Sequence, residues 1–278
     1  MYLLFDVGGT NIRFGVSRQG TSVDTTETHP TPYTFSEGIA LFRRVAGKLS
    51  QGEKIDAIAG GLASSMDRTH ENLLSPPNLP GWANAPVKKA LEEALGAPAF
   101  LENDAALAGL GEVVFGAGKG KDIVVYMTVS TGVGGARIVR GNIDANVLGF
   151  EPGHQIIDAT GTLDPAGNLE SYISGTAVEK RFGKKPHEIE DLAAWDEIAR
   201  WLAVGLNNVT VFWSPDVIVL GGSMVLKKPG IDVERVRAHF KEVLTIFPKL
   251  PEVVQAALGD FGGLHGALAF AQENAEKK

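Results

Sequence analysis

Residues 2–7, apolar but for Asp6, read as a strand, and Ile12, Phe14 and Val16 alternate as the buried face of a second, with the tight turn Gly8-Gly9-Thr10-Asn11 between them. That period predicts a chain that opens with a β-hairpin. A weaker third strand is expected near residues 22–28. From about Ser36 the spacing becomes helical, with Ser36 as N-cap and Ile39, Phe42, Val45, Ala46 and Leu49 along one face. Residues 55–62 return as a buried strand, residues 86–95 read as a helix and residues 99–101 as a short strand. The order β-β-β-α-β, then helix and strand, predicts a mixed sheet with helices packed against it.

A second block begins with a helical stretch over residues 104–115 and a glycine-rich break at 116–120. Strand 122–130, the turn Thr131-Gly132-Val133-Gly134-Gly135 and strand 136–140 then repeat the strand-turn-strand logic of the opening hairpin. Helices are expected over 176–182 and 190–212. Strand 216–220 runs into Gly221-Gly222-Ser223, and helices near 232–245 and 263–276 complete the chain. Two related half-domains follow from this: a smaller α/β domain over residues 1–103, with the last helix, about 263–278, packing back on it, and a larger α/β domain over 104–262.

A chain of 278 residues, 44% hydrophobic, is long enough for two such domains. It contains no cysteine, which excludes disulfides, a thiolate nucleophile and any Cys-based zinc or iron-sulfur site. The N-terminus lacks a basic n-region and carries Asp6, so no signal peptide is expected, and no apolar run approaches the ~18 residues of a membrane span. A soluble cytoplasmic protein is the expectation. The net charge of −7 is spread over mixed-sign segments without a basic stripe, so a small-molecule partner is expected rather than nucleic acid or membrane.

The candidate chemistry lies in the turns. Gly8 and Gly9 leave backbone N–H groups uncrowded by Cβ atoms, and Thr10 adds a hydroxyl donor, a combination suited to phosphate as well as to a plain hairpin. Asp6, just before that turn, can hold a magnesium ion directly or through water. The second glycine-rich hairpin suggests two turns facing a triphosphate. Gly221 and Gly222 permit a flat adenine or ribose to lie on the backbone, and equally make a simple strand-to-helix turn. Glu102-Asn103-Asp104 stands where a strand gives way to a helix; an aspartate there can take a proton from an attacking hydroxyl, while Asn and Asp are also the preferred structural caps. Glu151, His154 and Glu170 sit in Gly- and Pro-rich connections and offer directed hydrogen bonds to neighbouring sugar hydroxyls.

Taken together, Asp6-Val-Gly-Gly-Thr-Asn-Ile, Glu102-Asn-Asp-Ala, Ser130-Thr-Gly-Val-Gly-Gly, Glu151-Pro-Gly-His, Leu169-Glu-Ser-Tyr-Ile-Ser-Gly and Val217-Ile-Val-Leu-Gly-Gly-Ser resemble the ROK family of bacterial sugar kinases and sugar-responsive repressors. The resemblance spans nearly the whole chain. It implies a two-domain α/β, actin-like, hexokinase-type ATPase fold with ATP and sugar in a cleft between the domains. It makes Asp104 the catalytic base and Asn103, Glu151, His154 and Glu170 sugar ligands. Gly8, Gly9, Thr10 and Asn11, with Arg13 nearby, and Thr131, Gly132, Val133 and Gly134 would embrace the phosphates. The segment Asn78-Leu79-Pro80-Gly81-Trp82 looks like the one that shapes the sugar pocket in family glucokinases, with Asn78 touching sugar and Trp82 also suited to the core.

Two departures stand out. The family commonly follows Glu-x-Gly-His with three cysteines that join the histidine in a structural zinc site; residues 156–168 contain none, so no zinc is expected and a local hydrogen bond must orient His154. Ala63-Ser64-Ser65 stands where a Pro-Gly pair is common, which bears on epimer preference. The implied activity is ATP- and Mg2+-dependent phosphorylation of a hexose, glucose first, with N-acetylglucosamine, N-acetylmannosamine, mannose, fructose and allose as alternatives and polyphosphate or ADP as alternative donors. A family repressor is expected to carry a helix-turn-helix extension, and none is expected here because the first phosphate hairpin begins within six residues of Met1. A conformational-switch ATPase would lack the Glu151, His154 and Glu170 set. A homodimer is the expected assembly.

Overall fold

The computed structural model describes residues 1–64, 66, 67, 69, 71–74 and 78–276. Ser65, and the last two residues of the helix expected over 263–278, lie outside that set. The chain divides into two compact units, one of residues 1–115, 145–149 and 260–278, the other of residues 116–144 and 150–259.

The first unit is built on a five-stranded sheet of β1 (Tyr2–Val7), β2 (Asn11–Ser17), β3 (Thr25–Pro30), β4 (Ala57–Leu62) and β5 (Ala99–Asn103), ordered β3-β2-β1-β4-β5. The hairpin strands pair antiparallel, whereas β1, β4 and β5 run parallel. Helix α1 (Phe35–Ser50) presents Leu41, Phe42, Val45, Ala46 and Leu49 to this sheet, and Phe42 meets Phe5 and Phe14 edge-on at 4.9 Å. Its N-cap is Thr34 rather than Ser36. Thr34 and Glu37 form a reciprocal capping box that satisfies two helix-start donors at once, an arrangement open only to a hydroxyl three residues before a glutamate. Helix α2 (Val87–Leu95) follows, ended by Gly96 in the left-handed conformation.

The unit boundary falls after Phe115 rather than at 103. Helix α3 (Asp104–Phe115) continues directly from β5 and packs on α9 (Gly262–Glu276), which buries Leu264, Ala267, Leu268 and Ala271. Glycines set this crossing: a Cβ on Gly266 would come 1.7 Å from the Leu107 carbonyl oxygen, and one on Gly111 2.5 Å from that of Gly262. No side chain fits between the backbones.

The second unit repeats the first unit's connectivity. Its sheet runs β10 (Glu252–Gln255), β9 (Val217–Gly221), β6 (Ile123–Val129), β7 (Val133–Val139), β8 (Asn142–Ile143). Strand β6 takes the place of β1, β7 and β8 complete the antiparallel hairpins, and β9 and β10 are the parallel pair. The glycine-rich turn is shorter than the expected 131–135, because Val133, Gly134 and Gly135 already pair with Val129, Thr128 and Met127. Helices α4 (Glu170–Ile173), α5 (Gly175–Phe182), α6 (Leu192–Trp213), α7 (Ser223–Leu226) and α8 (Val233–Val243) complete the unit, whose core gathers Leu202, Leu206, Ile218, Leu220 and Phe240. No helix of the described residues is long and apolar enough to cross a membrane.

Candidate active site

In the first unit the polar residues of interest collect at the carboxyl ends of the parallel strands, where an open α/β sheet exposes backbone and side chains beyond the last ladder bonds. Asp6 on β1, Gly61 on β4 and Glu102 on β5 are in register, so Asp6 and Glu102 stand two strand spacings, about 10 Å, apart. Asn103 ends β5 and Asp104 begins α3. Asn103 fills the N-cap role, its Oδ1 accepting the Ala106 N–H at 3.1 Å, while Asp104 Oδ1 accepts the adjacent Ala105 N–H at 2.8 Å. Asn103 therefore has its amide nitrogen, which reaches the Ser64 carbonyl at 3.4 Å, as the group to offer a ligand. Asp104 sits at a helix N-terminus, where the aligned peptide dipoles favour an ionised carboxylate.

Asp6 is nearly enclosed. Arg13, its register partner on β2, donates to it from Nη1 at 3.4 Å, and Gly263 at the start of α9 lies so close that a Cβ there would be 2.9 Å from Asp6 Cγ. Burial pushes the Asp6 carboxyl above its usual range, and the Arg13 guanidinium only partly offsets this. A carboxylate whose desolvation exceeds its counter-charge is one that a cation would stabilise. A magnesium ion at Asp6 would draw its remaining ligands from water and substrate phosphate.

The first turn closes with the Gly8 N–H donating to the Asn11 carbonyl at 2.9 Å and with Thr31 Oγ1 donating to the Gly8 carbonyl at 2.7 Å. Neither Gly8 nor Gly9 has positive φ. Gly9 is required by close approach instead: a Cβ would lie 2.9 Å from Asn78 Cβ, so Asn78 rests on the turn. Trp82 belongs to the core, buried with its Nε1 donating to the Pro32 carbonyl and its ring against Gly38 and Phe35.

In the second unit Val133 is the junction. Its N–H donates to Glu170 Oε2 at 2.7 Å, a Cβ on Gly132 would meet the same carboxylate at 2.7 Å, and one on Gly153 would lie 2.2 Å from the Val133 carbonyl oxygen. The Pro152–His154 turn, flanked by Glu151, and the start of α4 are thus both seated on the glycine-rich hairpin. Glu151 and His154 are exposed. Thr131 accepts at its carbonyl from the N–H and hydroxyl of Thr176, while the N–H groups of Thr131 and Gly132 make no hydrogen bond among the described residues. Gly221 is buried beneath Tyr126, whose hydroxyl would be 2.4 Å from a Cβ there. Gly222, at φ +86°, is pressed against Val129. The glycine pair is therefore fixed first by packing.

Residues 2–274 match the description of the ROK family. The chain belongs to the ROK family. Among solved structures it superposes on the ROK hexokinase from Thermus thermophilus with a TM-score of 0.86 and 28% identity, covering 100% of this chain and 99% of that one. The ROK family glucokinase from Streptomyces griseus, in complex with glucose and AMPPNP, gives 0.83 and 27%, covering 98% and 99%. The glucokinase of Streptomyces coelicolor is 27% identical over 307 residues, 96% of each protein. Relatives with other roles include the N-acetyl-D-glucosamine kinase of Vibrio atlanticus, 26% identical over 96% of this chain and 98% of that protein, and the xylose repressor of Bacillus subtilis, 30% identical over 53% and 44%. The fold is accordingly the two-domain α/β, actin-like ATPase fold of the ROK hexokinases.

The roles of three residues of this ROK protein escaped the sequence reading. Gly61 fits its backbone under Asp104, a Cβ there being 2.8 Å from Asp104 Cα; the signal was a glycine pair, Gly60-Gly61, inside an otherwise apolar strand. Gly263 covers Asp6, and Gly262-Gly263 at a helix start was its signal. Asp158 organises the connection between His154 and Glu170, and Asp-Ala-Thr-Gly-Thr is the pattern of an aspartate bonded to the backbone just after it.

Proposed function

We propose that this ROK protein is an ATP-dependent hexose kinase and that glucose, phosphorylated on its 6-hydroxyl, is its substrate. The observation that carries the reading is Asp104: a carboxylate at a helix N-terminus, beyond the end of a parallel strand, with its backbone held against Gly61 and with Asp6 two strands away. The roles named for the related hexokinase and glucokinases support it, and so does the separate set of Glu151, His154 and Glu170 seated on the second glycine-rich hairpin.

In the reaction, the sugar oxygen attacks the γ-phosphorus as Asp104 accepts its proton. The bond from γ-phosphorus to the β,γ-bridging oxygen breaks, and ADP leaves with that electron pair. Asn78, Asn103, Glu151, His154 and Glu170 hold sugar hydroxyls. The Gly8–Asn11 turn with Arg13, and Thr131, Gly132 and Gly134, donate to phosphate oxygens. Gly222 lies along the nucleotide, whereas Gly221 is assigned to packing. Asp6 would hold magnesium, which when bound neutralises phosphate charge. The reaction is placed in the cytoplasm. A homodimer belongs to the same reading, with Val211 and Phe212, exposed at the end of α6, as apolar surface for a second copy.

The test is phosphoryl transfer from Mg-ATP to a panel of hexoses and N-acetylhexosamines, with Asp104→Asn as control. Turnover of one hexose, reduced by about 10²–10⁴-fold in the variant, is the expected result. Near-normal turnover in Asp104→Asn removes Asp104 as base. Sugar binding without turnover supports a sugar sensor, and ATP consumption indifferent to every sugar supports a switching ATPase.

A further inference from the structure

Between His154 and Glu170 the chain makes a long, polar excursion, in which Ile156 and Leu163 are exposed. Its base is closed by the Ile156–Asn168 bridge and by the Leu169 N–H, which donates to the Gln155 carbonyl at 3.0 Å. Ile157 and Leu169 tie its ends to the core, and the polar stretch between them takes its shape from hydrogen bonds.

Those bonds converge on one side chain. The Asp158 carboxylate accepts the N–H groups of Thr160 at 2.8 Å and Thr162 at 2.7 Å, the Thr160 hydroxyl, and the hydroxyl of Tyr172 at 2.7 Å. The Tyr172 oxygen in turn accepts the Leu163 N–H at 3.1 Å. The Asp158 backbone is equally committed. Ile157 and Asp158 donate to the Gly167 carbonyl at 2.9 and 3.1 Å, and Gly167, at φ +60°, leaves only 2.1 Å between a would-be Cβ and the Asp158 carbonyl oxygen. These hydrogen bonds hold the Asp158 carboxyl well below the usual carboxylate range, so it is charged throughout any practical assay.

Both ends of the knot lead to the sugar-ligand set. Tyr172 is the third residue of α4, whose first is Glu170; it is buried and packed edge-on against Trp201 at 4.7 Å. Fixing its hydroxyl on Asp158 therefore fixes how α4 presents Glu170 to Val133. At the other end Gln155 Nε2 donates to the Pro152 carbonyl at 2.8 Å, which couples the loop base to the turn carrying His154.

We infer that Asp158 is a positioning residue for the sugar site, an anchor whose bond to the buried Tyr172 sets the relative placement of His154 and Glu170 without itself touching the sugar. The inference rests on the kinase reading above.

The experiment compares full-length wild type, Asp158→Asn and Tyr172→Phe in steady-state kinetics with the preferred hexose and with ATP, alongside far-UV circular dichroism and thermal melting. Asparagine keeps the volume but puts an NH2 either where the Thr162 N–H and the Tyr172 hydroxyl share Oδ2 as acceptor or where the Thr160 N–H and hydroxyl share Oδ1. Expected is a rise of about tenfold or more in the sugar KM of Asp158→Asn, with the ATP KM within about twofold and a smaller rise in the same direction for Tyr172→Phe. A folded Asp158→Asn with unchanged sugar KM overturns the inference, as does a parallel rise in both KM values, which marks general loosening. If Asp158→Asn does not fold, Tyr172→Phe decides: an unchanged sugar KM overturns, a selective rise supports. Wild type that phosphorylates no hexose refutes the kinase reading, whereas active wild type with an indifferent variant refutes only the role of Asp158.

Discussion

Replacing Gly61 with alanine adds one methyl group at the point where β4 passes beneath the proposed base. The new Cβ would sit 2.8 Å from Asp104 Cα and 3.4 Å from its Cβ and N. Carbon atoms rest about 3.5–4.0 Å apart, so something must move by about 0.7–1.2 Å. Gly61 lies on a strand hydrogen-bonded on both sides, to β1 and to β5, so the shift passes mainly to the β5–α3 junction. A misplacement near 1 Å costs on the order of 10²-fold in rate, or about 2.7 kcal/mol of transition-state stabilisation. Overpacking costs a further ~1–3 kcal/mol of folding stability. The expected Gly61→Ala enzyme is folded, melts several degrees lower, and turns over hexose about 100-fold more slowly with a sugar KM close to wild type. Gly47→Ala, within α1 where an added Cβ meets nothing within 4 Å, is the matched control, expected to keep its activity and gain about 0.5–1 kcal/mol. Wild-type turnover in a folded Gly61→Ala would show that the placement of Asp104 does not limit the chemistry.

Two further outcomes follow from the packing and the charges. Gly266→Ala places a Cβ 1.7 Å from the Leu107 carbonyl oxygen, beyond what side-chain adjustment relieves. It should cost about 3 kcal/mol or more, a loss of about 6–12 °C in melting temperature, and a melt within 2 °C of wild type would contradict the α3–α9 contact. Asp196 on α6 receives hydrogen bonds from His239 and Arg235 of α8, while Glu242 lies 3.6 Å from His239 Nδ1. The bond from His239 first, and then that from Arg235, lower the Asp196 pKa. Its stabilisation is thus present above the ordinary carboxylate pKa and lost as pH falls through the lowered one. Because the pair is partly solvent-screened, Asp196→Asn should cost only about 0.2–1 kcal/mol at pH 7, with the gap closing as pH falls below the ordinary carboxylate pKa and through the lowered one. A urea-midpoint gap that stays constant with pH would assign the loss to packing.

Local pattern made much of this fold readable. The opening hairpin, α1, α3 and α6 declare themselves by period, and the second hairpin advertised a repeat before any pairing was known. Thr34 was equally visible, since Glu37 stands three residues after it, but Ser36 lies nearer the first apolar position and competes for the cap. Strand β10 was not readable, because four residues bounded by Pro251 give no period to count. The placement of β4 beside β1 was hidden too, as pairing is decided by the assembled sheet and not by either segment. The site divides the same way. Asp6, Asp104 and the glycine turns are marked by composition, whereas the Glu170–Val133 bond joins residues 37 apart and leaves no local trace. The compact unit that reaches Phe115 is hard to read for a related reason: nothing near Asp104 in sequence tells that α3 will meet a helix some 160 residues later.

That meeting of α3 and α9 has a temporal side. The second unit is almost continuous in sequence and has all its strands once residue 255 has been made. The first unit, although it begins the chain, lacks α9 until residues 260–276 emerge. During synthesis, which proceeds at about 5–20 residues per second, Leu107, Leu110 and the face of α3 around Gly111 must wait for their partner. The half of the protein made first is therefore the half completed last, and the long interval in which its apolar helix face stands open is when a chaperone has most to protect.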